Sequence, residues 1–215
     1  GIPTNYRKKV LQIGNIIREE IVNLNENKKE IKSFDDIKIL VLGGSQAARV
    51  FAEILPEIFI NLKKADLPIK IYQQCQINQN DQLIQLYKNA KMDFEIFNFT
   101  HKIKDYYLKS NLVITRSGAS VLGELINVKI PFVSIPLPAS ADNHQFKNAE
   151  FYLKRGYGYL LEEKDITNKL NYLINSIFRD KSLTKKILTN QRQHSDKNVF
   201  RNLNIELEKI LNEKN

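Results

Sequence analysis

Two glycine turns and one polar cluster hold the residues best suited to chemistry in this chain. The first turn, Gly43-Gly44-Ser45-Gln46, follows the apolar run Ile39-Leu40-Val41-Leu42. A pattern with apolar residues three and four apart comes next: Val50, Phe51, Ile54, Leu55, Ile58, Phe59 and Leu62. Strand, glycine turn and amphipathic helix, in that order, put free backbone N–H groups and the positive end of a helix dipole at the carboxyl edge of a sheet, which suits a phosphate. Gly43 and Gly44 let a ligand approach the backbone, and Ser45 adds a hydroxyl donor. The other reading is a turn whose glycines only relieve strain.

The second turn, Thr115-Arg116-Ser117-Gly118-Ala119-Ser120, feeds another helix, with Glu124 about one turn in. A carboxylate there can accept two hydrogen bonds from a vicinal diol, as acidic residues do for ribose in dinucleotide sites. It can equally complement the helix dipole. Asp142-Asn143-His144-Gln145 follows the proline-rich Pro136-Leu137-Pro138. Its amides offer both donors and acceptors to sugar hydroxyls, and an Asp or Asn there also suits an N-cap. His144 is the candidate base, without an obvious carboxylate partner in sequence.

The elements that must position these residues alternate. Strands are expected at Ile39–Leu42, in a core pattern that begins at Ile37, and at Ile69–Tyr72, Phe94–Phe97, Leu112–Thr115, Phe132–Ile135 and Gly158–Leu161. Helices are expected after the first glycine turn and at Asp81–Lys91, Ile103–Lys109, Val121–Asn127 and Asn143–Arg155, with two or three more from Ile166 onward. That alternation reads as βαβ units, hence an α/β fold with a mostly parallel, Rossmann-like sheet covered by helices on both faces and extra helices at the C-terminus. Ligands of such sheets sit at the carboxyl ends of the strands. Residues 1–36 read as a connector and polar linker, with one short apolar run at Val10–Ile13 and a short helix after Arg18, and residues 37–215 as one domain.

Composition narrows the class. The chain has 215 residues, 42% hydrophobic and 27% charged, which is ordinary for a globular protein. A single cysteine, Cys75, rules out an internal disulfide and fits a reducing compartment. No apolar run reaches the length of a membrane span, and no signal peptide is evident. The chain opens on Gly1 rather than Met, as a fragment or processed piece would. A net charge of +9 asks for an anionic partner, although the basic residues are spread over presumed solvent faces. With no Trp and no basic–aromatic alternation, nucleic acid is not expected. The Walker pattern and G-x-G-x-x-G are both absent, which argues against nucleotide hydrolysis and a nicotinamide site. No Cys/His cluster or Asp-x-Asp pair suggests a metal, and no cofactor is expected.

The three motifs, together with Asn148-Ala149 and Gly14-Asn15-Ile16-Ile17-Arg18, resemble the C-terminal half of the MurG family of GT-B glycosyltransferases. These enzymes transfer N-acetylglucosamine from UDP-N-acetylglucosamine to lipid I, giving lipid II for peptidoglycan. The resemblance covers nearly the whole chain. It implies a two-domain enzyme that is peripheral to the cytoplasmic face of the inner membrane, attracted to its anionic surface, and inverting at the anomeric carbon. It places Ser45 at the pyrophosphate and the Thr100 backbone at uracil, with Gly44 and Gln46 also among the substrate-binding residues. Ala119, Ser120, Val121, Leu122, Gly123 and Glu124 would line the nucleotide, with Glu124 on the ribose. Gln145 would meet the sugar and Arg18 the diphosphate, and His144 is also among the substrate-binding residues.

Three departures from the family pattern are present. Ala47 stands where the family usually has Gly, and Ile16 replaces Pro in the junction segment. The family's N-terminal half, with its Gly-rich loop, catalytic His and acceptor site for lipid I, is not in this sequence. This half is therefore expected to bind donor without turnover and to contain no catalytic residue. The rival reading is a stand-alone nucleotide-sugar-binding module or an inactive split-gene remnant.

Overall fold

A computed structural model of the chain describes residues 6, 10, 11, 13–24 and 36–212, except for the side chains of residues 45–48. Its centre is a six-stranded sheet in which every pair is parallel. The strands are β1 (Ile37–Leu42), β2 (Ile69–Gln74), β3 (Asp93–Phe97), β4 (Leu112–Thr115), β5 (Phe132–Ser134) and β6 (Tyr159–Leu160), in the spatial order β3-β2-β1-β4-β5-β6. The chain winds outward from β1 to β3, returns beside β1 as β4, and winds outward the other way. The order therefore reverses between β1 and β4, and a crevice opens there at the carboxyl ends.

Period-two alternation along β1 assigns the two faces. Ile37, Ile39 and Val41 point into one core, and Leu40 and Leu42 into the other. Both sets are buried, as an uninterrupted apolar run requires of a central parallel strand. The first core lies under α2 (Gly44–Lys64), α3 (Asn80–Asn89) and α7 (Ile166–Arg179), and Phe51, Leu55, Phe59 and Leu62 of α2 are fully buried there. The second lies under α4 (Ile103–Lys109), α5 (Ala119–Asn127) and α6 (His144–Lys154), with Tyr107, Leu122, Leu125 and Tyr152 facing Phe132 and Val113. Burying each such large side chain contributes about 1.5–3 kcal/mol. Helices α8 (Lys181–Arg192) and α9 (Val199–Asn212) follow, so three helices lie beyond Ile166.

Element types agree with the sequence reading, and the ends differ by a residue or two. Helix α2 begins at Gly44 rather than after the glycine turn, and strand β6 is reduced to two residues. In the short apolar run at Val10–Ile13, Val10 and Leu11 are exposed and belong to no strand, and Gln12 lies outside the described residues. The polar linker at 25–35 also lies outside them.

The segment before it packs closely on the sheet domain. A short helix, α1 (Glu19–Val22), places Ile21 beside Ile17 in the second core, both buried. Gly14 adopts φ +97°, and a Cβ there would lie 2.7 Å from Asp196 Oδ1. Only glycine lets the connector pass this close to the start of α9.

Candidate functional site

The crevice at the switch point is a cleft of about 590 Å³. Its floor is the carboxyl end of β1 and β4: Leu42, Gly43, Gly44, Thr115 and Arg116. Gln74 and Phe97, from the ends of β2 and β3, form one wall with Phe99, Thr100, His101 and Ile103. Gly118, Val121, Leu137 and Gln145 form the opposite wall, and Arg18 reaches in from the connector.

Local sequence explains each position. Gly44 holds φ +69° with no atom within 4 Å of where a Cβ would project, so the backbone is laid open to the cleft. Its N–H donates to Gln74 Oε1 at 3.3 Å, so one amide suited to a phosphate already has a side-chain partner. Gln74 Nε2 in turn donates to the Asn98 carbonyl at 3.0 Å. The Thr100 hydroxyl accepts from the Lys102 N–H at 2.9 Å and so stiffens the loop that faces the cleft. Phe99 stands exposed at its rim, with its ring edge-on to His101 at 4.7 Å.

Gln145 is fixed by its acceptor end. Its Oε1 takes the Leu137 N–H at 3.0 Å and the Ser117 N–H at 3.2 Å, and Nε2 has no partner among the described residues. Asn148 Nδ2 donates to the Ser117 carbonyl at 3.1 Å, so the polar cluster and the second glycine turn brace each other. Asp142 and Asn143 both adopt left-handed backbone, at φ 48° and 54°. Neither makes a side-chain cap; the Ser140 hydroxyl accepts from the Gln145 N–H instead, at 3.4 Å.

Arg116 is 5% exposed. Its guanidinium lies 4.4 Å from the Phe51 ring centroid, donates to the Ile135 and Pro136 carbonyls, and pairs with Glu163. It braces the floor of the cleft from below.

Glu124 is on the second turn of α5, with a side chain 13% exposed. Arg18 Nε and Nη2 donate to its Oε1 at 3.1 and 2.9 Å, and the Tyr107 hydroxyl donates to its Oε2 at 2.8 Å. Burial and the neighbouring carboxylate hold the Tyr107 hydroxyl well above its usual pKa, so it remains a donor.

Of the predicted site residues, the structure gathers Arg18, Gly44, Thr100, Val121 and Gln145 around the cleft. Three predicted positions turn their side chains or Cβ direction away from the cleft lining. The Leu122 side chain is fully buried in the second core, facing away from the cleft, because it lies on the sheet-facing stripe of α5. Gly123 is also turned away: a Cβ there would lie 3.2 Å from Asn15, so the close approach it allows is to the connector. His144 is exposed and outside the cleft lining, with Nδ1 2.8 Å from the Ala141 carbonyl oxygen. Ala119 and Ser120 are exposed at the start of α5, beside the cleft rather than in its lining, and Glu124, held by the cleft-lining Arg18, also stands next to the lining rather than in it. The Ser45 and Gln46 side chains lie outside the described ones.

Sequence reasoning assigned no binding role to Gln74, Phe97, Phe99 or Arg116. The usable signal was position, since each stands at or just beyond the carboxyl end of a strand. No group of three or more His, Cys, Asp or Glu side chains suited to a metal occurs among the described residues.

A doubly wound parallel sheet with its cleft at the switch point, ringed by two glycine turns, defines a nucleotide-binding class of α/β domain. Residues 38–203 match the glycosyltransferase family 28 C-terminal domain, and the chain belongs to that family. It is 36% identical over 214 residues to the UDP-N-acetylglucosamine–N-acetylmuramyl-(pentapeptide) pyrophosphoryl-undecaprenol N-acetylglucosamine transferase of Pelagibacter ubique, covering 98% of this chain and 58% of that protein. It is 31% identical over 172 residues to the enzyme of the same name from Rickettsia bellii, covering 79% and 48% respectively. The chain thus spans about half the length of the curated relatives it matches. Among solved structures, Acinetobacter baumannii MurG superposes with a TM-score of 0.73 at 24% identity, over 85% of this chain and 55% of that one. The S. aureus MnaA–UDP structure superposes with 0.66 at 13%, over 97% and 56%. At these identities the structural likenesses establish the fold alone.

Proposed function

We propose that this chain is the donor-binding half of an inverting glycosyltransferase that moves N-acetylglucosamine from UDP-N-acetylglucosamine to lipid I, forming lipid II. The observation that carries the reading is the convergence of Gly44, Gly118, Gln145 and Arg18 on one cleft at the switch point. The N-termini of α2 and α5 and the Arg18 guanidinium supply positive potential where a leaving diphosphate gathers charge. Thr100 and the neighbouring loop would meet the base, Glu124 the ribose, and the Gln145 amide N–H group the sugar. Residues 1–36 would join this half to the one that binds the acceptor.

In the reaction the acceptor hydroxyl attacks the anomeric carbon, the bond to the diphosphate breaks, and UDP leaves. The general base comes from outside this half. His144, the candidate here, is exposed and not among the cleft-lining residues. The whole enzyme would sit peripherally on the cytoplasmic face of the inner membrane, where its positive charge meets anionic lipid. No helix among the described residues is long and apolar enough to cross a membrane.

Calorimetry on the folded chain tests the reading. UDP and UDP-N-acetylglucosamine should bind with similar affinity, since most of the contacts go to nucleotide and diphosphate. The absence of heat or competition with either ligand would overturn it. A transfer assay with lipid I should give no product from this chain alone; turnover abolished by changing His144 would reverse that assignment.

A further inference from the structure

The hydrogen bonds at Glu124 do not leave room for the ligand it is expected to read. An ionised carboxylate offers about four acceptor sites. Three are in use: two by the Arg18 fork on Oε1, and one by the Tyr107 hydroxyl on Oε2. A vicinal diol brings two donors, so one resident partner must withdraw before both ribose hydroxyls can bind.

The two partners differ in how freely they can leave. Tyr107 is 1% exposed, its ring set in the second core between the sheet and α5, and withdrawing it would strand a buried hydroxyl. The Arg18 side chain is 48% exposed, extends from the connector, and borders the cleft in its present position. Once detached from Glu124 it can be solvated or can turn to an anion in the cleft.

We propose that Tyr107 is the fixed positioning residue of the nucleotide site, and that Arg18 is a placeholder on Glu124 which the ribose displaces. This inference rests on the ribose role proposed for Glu124. The exchange has a structural consequence. Arg18 immediately precedes α1, which is packed on α5, so a bound ribose changes what holds the connector against the donor half.

The test uses uridine and 2′-deoxyuridine, which carry no phosphate and so remove any direct role of Arg18 toward a diphosphate. Binding of both is measured by NMR titration on the wild-type chain and on Arg18→Met, Tyr107→Phe and Glu124→Ala. Apparent affinity is the intrinsic affinity reduced by the fraction of sites that are competent, so removing the placeholder should tighten uridine binding, by roughly threefold or more. Arg18→Met should keep the preference for uridine over 2′-deoxyuridine, whereas Tyr107→Phe should lose most of it. Weaker uridine binding by Arg18→Met, or an undiminished preference in Tyr107→Phe, overturns the proposal while leaving the ribose role intact. If Glu124→Ala keeps the wild-type preference, the ribose role itself falls and takes this inference with it.

Discussion

Asn15 and Asp196, 181 positions apart, are joined by two hydrogen bonds: the Asn15 backbone N–H donates to Oδ1 at 3.1 Å and its side-chain Nδ2 to Oδ2 at 3.0 Å. Asp196 also accepts from Asn127 Nδ2 at 2.7 Å and lies 2.8 Å from His194 Nε2. A 4%-exposed carboxylate thus ties the connector, the end of α5 and the start of α9 at one point.

Asp196→Ala should be among the more damaging single changes. A hydrogen bond to a charged group contributes about 1.5–3 kcal/mol, and several are lost at once, so the expected destabilisation exceeds about 3 kcal/mol. Urea denaturation measures it. A loss below about 1 kcal/mol would mean the network is redundant.

The same carboxylate gives the stability an acid limb. Burial pushes its pKa up, but donors from His194, Asn127 and Asn15 outweigh that and hold it well below the usual carboxylate range. The folded pKa is depressed, so the stabilisation is present above the unfolded value, about 3.9, and is lost as pH falls through it toward the folded value. Unfolding free energies from pH 5 to pH 2 should fall more steeply in the wild type than in Asp196→Asn.

Lys129 predicts an alkaline counterpart. Its ammonium donates to the Ile126 and His194 carbonyls, and burial, partly offset by Asp196, lowers its pKa from 10.5 to about 8. Between those values the unfolded chain holds a proton that the folded one has released. Stability should therefore rise with pH from about 8 to about 10, by at most about 1.4 kcal/mol per pH unit. Above that the raised hydroxyls of Tyr106 and Tyr152, pushed to about 12, act in the opposite direction. Lys129→Met should flatten the rise; an unchanged slope would assign it to another group.

Two glycines should respond differently to alanine. Gly14→Ala combines a left-handed φ with a collision against Asp196 and Val199, and a loss of about 1–3 kcal/mol is expected. Gly118→Ala, at φ −66° with only Val121 nearby at 3.7 Å, should leave the melting temperature nearly unchanged. Thermal melts of the two variants side by side give the comparison.

Glu124→Ala should weaken UDP binding by about tenfold or more, the equivalent of about 1.4 kcal/mol. Read as an exposed residue near a helix start, Glu124 would scarcely matter to the fold. With the Tyr107 hydroxyl left unpaired in the core, the variant should also lose about 1–3 kcal/mol of stability. Glu124→Gln keeps an acceptor for Tyr107 and should recover most of the stability but not the affinity. Equal stability in all three proteins would show that the Tyr107 bond contributes nothing.

The fold was legible because period and punctuation agree along the chain. The Ile39–Leu42 run could only be a central strand, and the stripe from Val50 to Leu62 could only be a helix lying on it. The same logic located the cleft, since strand ends and glycine turns are sequence features. What could not be read was direction within a helix and contact across distance. Leu122 and Val121 are neighbours, yet one enters the core and the other lines the cleft, depending on how α5 is rotated against the sheet. Nothing in the sequence near Glu124 announces Tyr107 or Arg18 as partners, because packing of α4 and of the connector brings them there. Asp196 likewise looks like an ordinary charged residue in a polar stretch until the connector is in place.

The Phe99 ring, exposed at the rim of the cleft, gives the protein an optical handle. The chain has no tryptophan, so its native ultraviolet emission comes from nine tyrosines. Tyr106, stacked on the cleft-lining Phe97 at 4.2 Å between centroids, is among them. A single indole introduced as Phe99→Trp would emit alone at longer wavelength, at a position where an arriving base would quench or shift it. Occupancy of the cleft could then be followed in real time on unlabelled protein, by light from one residue.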